Sequence, residues 1–84
     1  MNEYERKILW KCRRGMLELD IIFTRFFKEK FSQLTQEEQI VFEKLLDEFD
    51  PVLADWIFGS AHSIDPQQQK FIQEYFKNHE KKNL

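Results

Sequence analysis

Apolar side chains recur along this chain at helical spacing, in four separate stripes. Tyr4, Ile8 and Cys12 fall at i, i+4 and i+8. Met16, Leu19, Phe23, Phe26 and Phe27 form a second stripe that continues at Phe31. Phe42, Leu45, Leu46 and Phe49 make the third, and Phe71, Ile72, Tyr75 and Phe76 the fourth. Each stripe keeps its apolar groups on one side of a 3.6-residue period, which predicts amphipathic helices rather than strands. Between the third and fourth, residues 51–58 predict a short helix with Leu53, Trp56 and Ile57 inward. Trp10 lies off the first stripe and is not required by the core.

Helix boundaries are marked by local chemistry. Asp50-Pro51 and Asp65-Pro66 each predict a carboxylate N-cap followed by a proline at the first helical position, where its missing N–H costs nothing. Thr35-Gln36-Glu37-Glu38 has the spacing of a capping box, in which hydroxyl and carboxylate each satisfy the other residue's backbone N–H. Gly59, after Trp56-Ile57-Phe58, suits a left-handed helix stop. The expected fold class is all-α: one domain of about five helices with short connections that favour antiparallel neighbours. The ordered part is expected from about residue 4 to residue 78, with the Glu80–Leu84 tail frayed.

Composition narrows the function classes. The chain has 84 residues, nine of them Phe, and so holds one small aromatic core rather than separate cofactor and substrate domains. Cys12 is the lone cysteine, which excludes an internal disulfide and a thiolate zinc site and fits a reducing compartment. The charged start, Met1 to Lys7, is unlike a signal peptide, and no stretch is apolar enough to span a membrane. Residues 1–14 hold five cations against two carboxylates, while the rest holds eight against thirteen. The acidic excess is concentrated between Glu37 and Asp65, where Lys44 is the one cation. This balance argues against a nucleic-acid binder. It leaves either ordinary solubility charge or a small cationic patch that steers a protein partner.

Catalytic constellations are poor. Ser60, His62, Ser63 and Asp65 share one loop, whereas triads are assembled from distant segments, and a helix start already accounts for Asp65. His62 and His79 lack the spacing of a helical metal site. No glycine-rich phosphate loop is present. The position of Cys12 on an apolar stripe favours core packing over reactivity.

The unusual stretch is Trp10-Lys11-Cys12-Arg13-Arg14-Gly15-Met16-Leu17-Glu18-Leu19-Asp20. It reads in two ways. Gly15 can simply end a helix, with Arg14 and Glu18 forming a surface pair worth at most about 1 kcal/mol. Alternatively, bare backbone at Gly15 lets another protein approach closely, with arginine forks beside it to bind carboxylates or carbonyls and Trp10 as an anchor.

Arg14-Gly15-Met16-Leu17-Glu18 matches the Arg-Gly-x-x-Glu motif of the small flavinylation assembly factors of succinate dehydrogenase, the SdhE type. A second match runs from Leu45-Leu46 through Asp50 and Leu53 to Trp56, and the resemblance covers the chain from about Tyr4 to Phe76. It implies a five-helix chaperone and not an enzyme. Such a factor binds the flavoprotein subunit of succinate dehydrogenase, and in bacteria often of fumarate reductase, and promotes covalent attachment of FAD to a histidine of that client. The cofactor belongs to the client, and none is assigned to the factor itself. Carried over, Arg14, Gly15 and Glu18 sit at the contact surface, Arg13, Met16 and Asp20 at its edge, and Trp10 beside them. With no extension ahead of the motif, a bacterial cytoplasmic member is expected, monomeric unless Trp10 or the Phe-rich helix supports a dimer. The competing expectation is a non-catalytic adaptor that uses the same surface on an unrelated partner.

Overall fold

The first helix is opened by a capping box that the pattern of apolar residues does not reveal. The Asn2 side chain accepts from the Glu5 N–H at 2.8 Å, and the Glu5 carboxylate accepts from the Asn2 N–H at 3.0 Å. A computed structural model describes residues 1–77 and begins with α1 (Glu3–Lys11) and α2 (Leu17–Lys30), the latter running into a 3-10 turn over Phe31–Gln33. There follow α3 (Gln36–Leu46), α4 (Asp50–Phe58) and α5 (Pro66–Ile72), which continues as a π-helical turn over Gln73–Lys77. The fold is all-α, with five α-helices and no strand among the described residues. The Glu80–Leu84 tail expected to fray lies outside them.

The apolar stripes converge on one core. Ile8, Cys12, Leu19, Phe23, Phe42, Leu45, Leu53, Ile57 and Ile72 are sealed from solvent, and Phe26, Phe27, Phe31, Leu34, Leu46, Phe71 and Phe76 are nearly so. Phe26 is the hub of its aromatic part. Its ring centroid lies 5.0 Å from Phe42, 5.7 Å from Phe71, 5.3 Å from Tyr75 and 5.0 Å from Phe76. These pairs are tilted or edge-on, geometries that set a positive ring edge against a negative ring face. The Tyr75 hydroxyl leaves the core to donate to Glu38 Oε2 at 2.7 Å, which ties the turn after α5 to the first turn of α3. Burial pushes the Tyr75 phenol up to about 12, and the bond to Glu38 adds to the shift.

Local signals mark two helix starts correctly and misassign a third. Thr35 forms its capping box with Glu38, and Asp65 accepts from the N–H groups of Gln67 and Gln68. At α4 the N-cap is Phe49, and Asp50 is already the first helical residue. The Asp50 carboxylate is directed to another part of the chain, as described below. Phe49, expected in the core as the last member of the third stripe, is 76% exposed because α3 stops at Leu46 and the helical period no longer applies. Tyr4 sits at the rim, with its hydroxyl donating to Glu43 Oε1 at 3.2 Å. Gly59 is also not left-handed: its φ is −104°. Glycine is needed there because a Cβ would come within 2.8 Å of the Asp55 carbonyl oxygen.

Candidate functional site

The connection between α1 and α2 is short, and its shape is determined by one arginine and two aspartates. Arg14 folds back under the loop instead of reaching outward. Its Nε donates to Asp50 Oδ1 at 2.7 Å, and its Nη1 donates to the carbonyls of Lys11 at 2.9 Å and Leu46 at 2.8 Å. Its Nη2 donates to the Glu48 carbonyl at 2.6 Å. One guanidinium thus satisfies carbonyls at the C-terminal ends of α1 and α3, where orphan acceptors and the helix dipole favour a cation. It also pairs with the first residue of α4. The planar fork of arginine suits this role, which an ammonium could not fill with the same geometry.

The two carboxylates hold the rest of the loop. Asp50 Oδ2 accepts from the Met16 N–H at 3.0 Å. This matters because Met16, the N-cap of α2, supplies no side-chain cap of its own. Asp20 Oδ1 accepts from the Arg14 N–H at 2.9 Å and from Arg13 Nε at 3.0 Å. Burial pushes the Asp50 carboxyl up, but the Met16 N–H, the Arg14 guanidinium and the Gly15 N–H outweigh it and hold the carboxyl below its ordinary value. The Arg14 N–H and then the Arg13 side chain hold Asp20 low in the same way.

Gly15 is left bare at the surface of this hydrogen-bonded loop. A Cβ added to it would meet nothing closer than Asp50 Oδ2 at 3.8 Å, an ordinary contact, and no glycine among the described residues has a positive φ. Nothing in the chain's own packing therefore requires glycine at this position. In the same stretch of sequence, Trp10 on α1 is 78% exposed, Leu17 is 65% exposed, and Glu18 is an exposed carboxylate in the first turn of α2.

The seven residues singled out from the sequence thus divide by orientation. Trp10, Arg13, Gly15 and Glu18 are exposed, whereas Arg14, Met16 and Asp20 are partly buried, with Arg14 and Asp20 bonded within the loop. Arg14 pairs with Asp50 and not with Glu18. The cationic segment is not a free patch either. Lys11 contacts Asp47 at 2.7 Å and Glu43 at 3.8 Å, and Lys7 contacts Glu43 at 3.5 Å. Part of the acidic excess in and just after α3 is therefore the counter-charge to α1.

The loop between α4 and α5 carries structural chemistry. The Ser63 hydroxyl donates to Gln68 and accepts from the Asp65 N–H, and His62 Nδ1 meets Gln69 Nε2 at 3.0 Å. Burial pushes the Cys12 thiol up to about 12, which leaves it protonated at neutral pH. Among the described residues, no group of three or more His, Cys, Asp or Glu is placed to hold a metal ion, and no helix is long and apolar enough to cross a membrane. His79 lies outside the described residues.

Residues 6–80 match the family model described as flavinator of succinate dehydrogenase. The chain belongs to this family. It is 51% identical over 73 residues to the FAD assembly factor SdhE of Coxiella burnetii, covering 84% of this chain and 85% of that protein. It is 39% identical over 82 residues to the protein of the same name from Haemophilus influenzae, covering 96% and 95% of the two chains. The relative from Vibrio cholerae is 49% identical over 57 residues, covering 68% of this chain and 66% of its own length. The family match includes the whole loop and its supporting aspartates.

Two participants escape a sequence-level reading of this family member. Asp50 looks like a local helix cap, and Phe49 looks like core. Phe49 lies between Glu48 and Asp50, two of the residues that Arg14 grips, so an exposed aromatic flanks the loop. The signal for Phe49 in the sequence is its position directly before an Asp-Pro helix start, which ends the preceding period.

Proposed function

We propose that this protein is an assembly chaperone that binds the flavoprotein subunit of succinate dehydrogenase and promotes covalent attachment of FAD to it, without catalysing the bond itself. Family membership sets the client class. The observation that carries the site is Gly15: an exposed glycine in a loop pinned on both sides, whose bareness the fold does not need. In this reading Trp10, Arg13, Gly15 and Glu18 face the client, while Arg14, Met16 and Asp20 hold the loop in shape. The fumarate reductase flavoprotein is a second client of the same chemistry. The setting is the bacterial cytoplasm, and the factor acts as a monomer.

The physics fits a helper without a pocket for the flavin. Joining a flavin carbon to a histidine nitrogen requires the two held in reacting geometry and the charge developing on the flavin ring stabilised, and groups inside the client do both. The factor accelerates the step by binding one domain arrangement of the client more tightly than the others. The resulting population shift cannot exceed that difference in affinity. A side chain at Gly15 would separate the two backbones, and Glu18 offers an exposed carboxylate to a cationic or N–H partner on the client.

The test is in-gel flavin fluorescence of the client subunit, expressed with and without the factor. The wild type is expected to raise covalent flavin, and Gly15→Arg and Glu18→Ala to abolish the gain while keeping wild-type helicity. Normal flavinylation by both variants would overturn the site, and no effect of the wild type would overturn the function.

A further inference from the structure

Asp50 fastens the docking loop on both sides of Gly15, although it is 36 positions from Arg14 in sequence. Its two oxygens have separate tasks. Oδ1 takes the Arg14 Nε at 2.7 Å, and Oδ2 takes the Met16 N–H at 3.0 Å. Arg14 is in turn held by three backbone carbonyls, those of Lys11, Leu46 and Glu48. The carboxylate therefore closes a bracket around Gly15, holding the residue before it through a side chain and the residue after it through the backbone. Asp50 is not needed as the N-cap of its own helix, which begins from Phe49.

We propose that Asp50 is a positioning residue for the interaction. It does not meet the client but holds Gly15 and the first turn of α2 in the conformation that docks. This rests on the docking role proposed for the loop. Only an ionised aspartate accepts at both oxygens. The side-chain amide of an Asp50→Asn variant would keep one acceptor and turn an NH2 group toward either the guanidinium or the Met16 N–H, opposing donor to donor. The bracket would open on one side and the loop would sample other shapes. When the competent conformation is only fractionally populated, apparent affinity falls by that fraction, and saturating concentration restores the full effect.

The experiment uses the full chain with Asp50→Asn and, as a second variant, Asp50→Ala. Amide hydrogen exchange is measured first in the free protein. Met16, whose N–H the Asp50 carboxylate holds, is expected to exchange about tenfold faster than in the wild type, while the α2 core amides around Phe23 keep their protection. Client binding is then titrated together with flavin incorporation. The concentration of factor giving half-maximal flavinylation should rise about tenfold, with the maximal yield unchanged. Wild-type titration curves for both variants would overturn the proposal. So would weakened binding with unchanged Met16 exchange, since Asp50 would then be a direct contact. A maximal yield that falls with the affinity would overturn it as well. The exchange data stand without any client, and Gly15→Arg serves as a control for the docking role, so failure of that role and failure of this inference can be told apart.

Discussion

The two glycines show how differently the same residue can be required. At Gly59 the need is internal, because a Cβ would lie 2.5 Å from Asp55 Oδ1 and 2.8 Å from the Asp55 carbonyl oxygen. The carboxylate can swing away but the carbonyl cannot, so the end of α4 must deform. At Gly15 the nearest atom is at 3.8 Å and the backbone is not left-handed, so alanine fits. Thermal melts should separate the two. Gly15→Ala is expected to be neutral or stabilising by up to about 1 kcal/mol, through loss of freedom in the unfolded chain. Gly59→Ala is expected to destabilise by about 1–3 kcal/mol, as overpacking does. A destabilised Gly15→Ala would mean that the fold, and not a partner, demands the bare position.

Between elements, the chain is held by charges that complete one another's helix ends. Arg14 gathers the C-terminal ends of α1 and α3, while Asp50 and Asp20 tie down the start of α2. Both aspartates have folded-state values depressed below the ordinary 3.8. A depressed carboxylate contributes stability above its unfolded value and loses it as pH falls through the folded value. Glu38, held low by the Thr35 N–H and the Tyr75 hydroxyl, acts in the same sense from its ordinary 4.5. Melting temperature should therefore be level from pH 7 to about pH 5 and fall below about pH 4. Asp50→Asn should start lower and fall less steeply, and an unchanged slope would show that Asp50 does not contribute to the acid sensitivity. The same contacts explain what a linear reading can see. Thr35 and Asp65 act within three residues of themselves, so their caps are legible. Asp50 acts on residues 34 and 36 positions away, and no local pattern displays such a partner. The loop motif was legible as residues that belong together. Which of its atoms face outward was not, because that depends on α3 and α4 closing beneath it.

In the molecule as a whole, an aromatic core and the loop proposed to dock share a chain of 84 residues. A domain of this size buries a modest fraction of its surface, and its net stability is on the order of a few kcal/mol. Phe26 contacts four other rings, contributed by α3, α5 and the turn that follows α5, yet it forms no part of the loop around Gly15. Truncation to alanine removes a large ring from a site that cannot fully collapse, at a cost of about 3–5 kcal/mol. That is comparable to the whole stability, so Phe26→Ala should be largely unfolded at ~37 °C by circular dichroism and fail to support flavinylation. The failure should be reversible in a specific way. Trimethylamine N-oxide favours compact states by exclusion from the protein surface, so it should return helicity and flavinylation together. For Gly15→Arg, which is expected to be folded already, the same osmolyte should change neither. If it restores the helices of Phe26→Ala without flavinylation, then core and docking loop are not separable, and Phe26 shapes the client-facing surface directly.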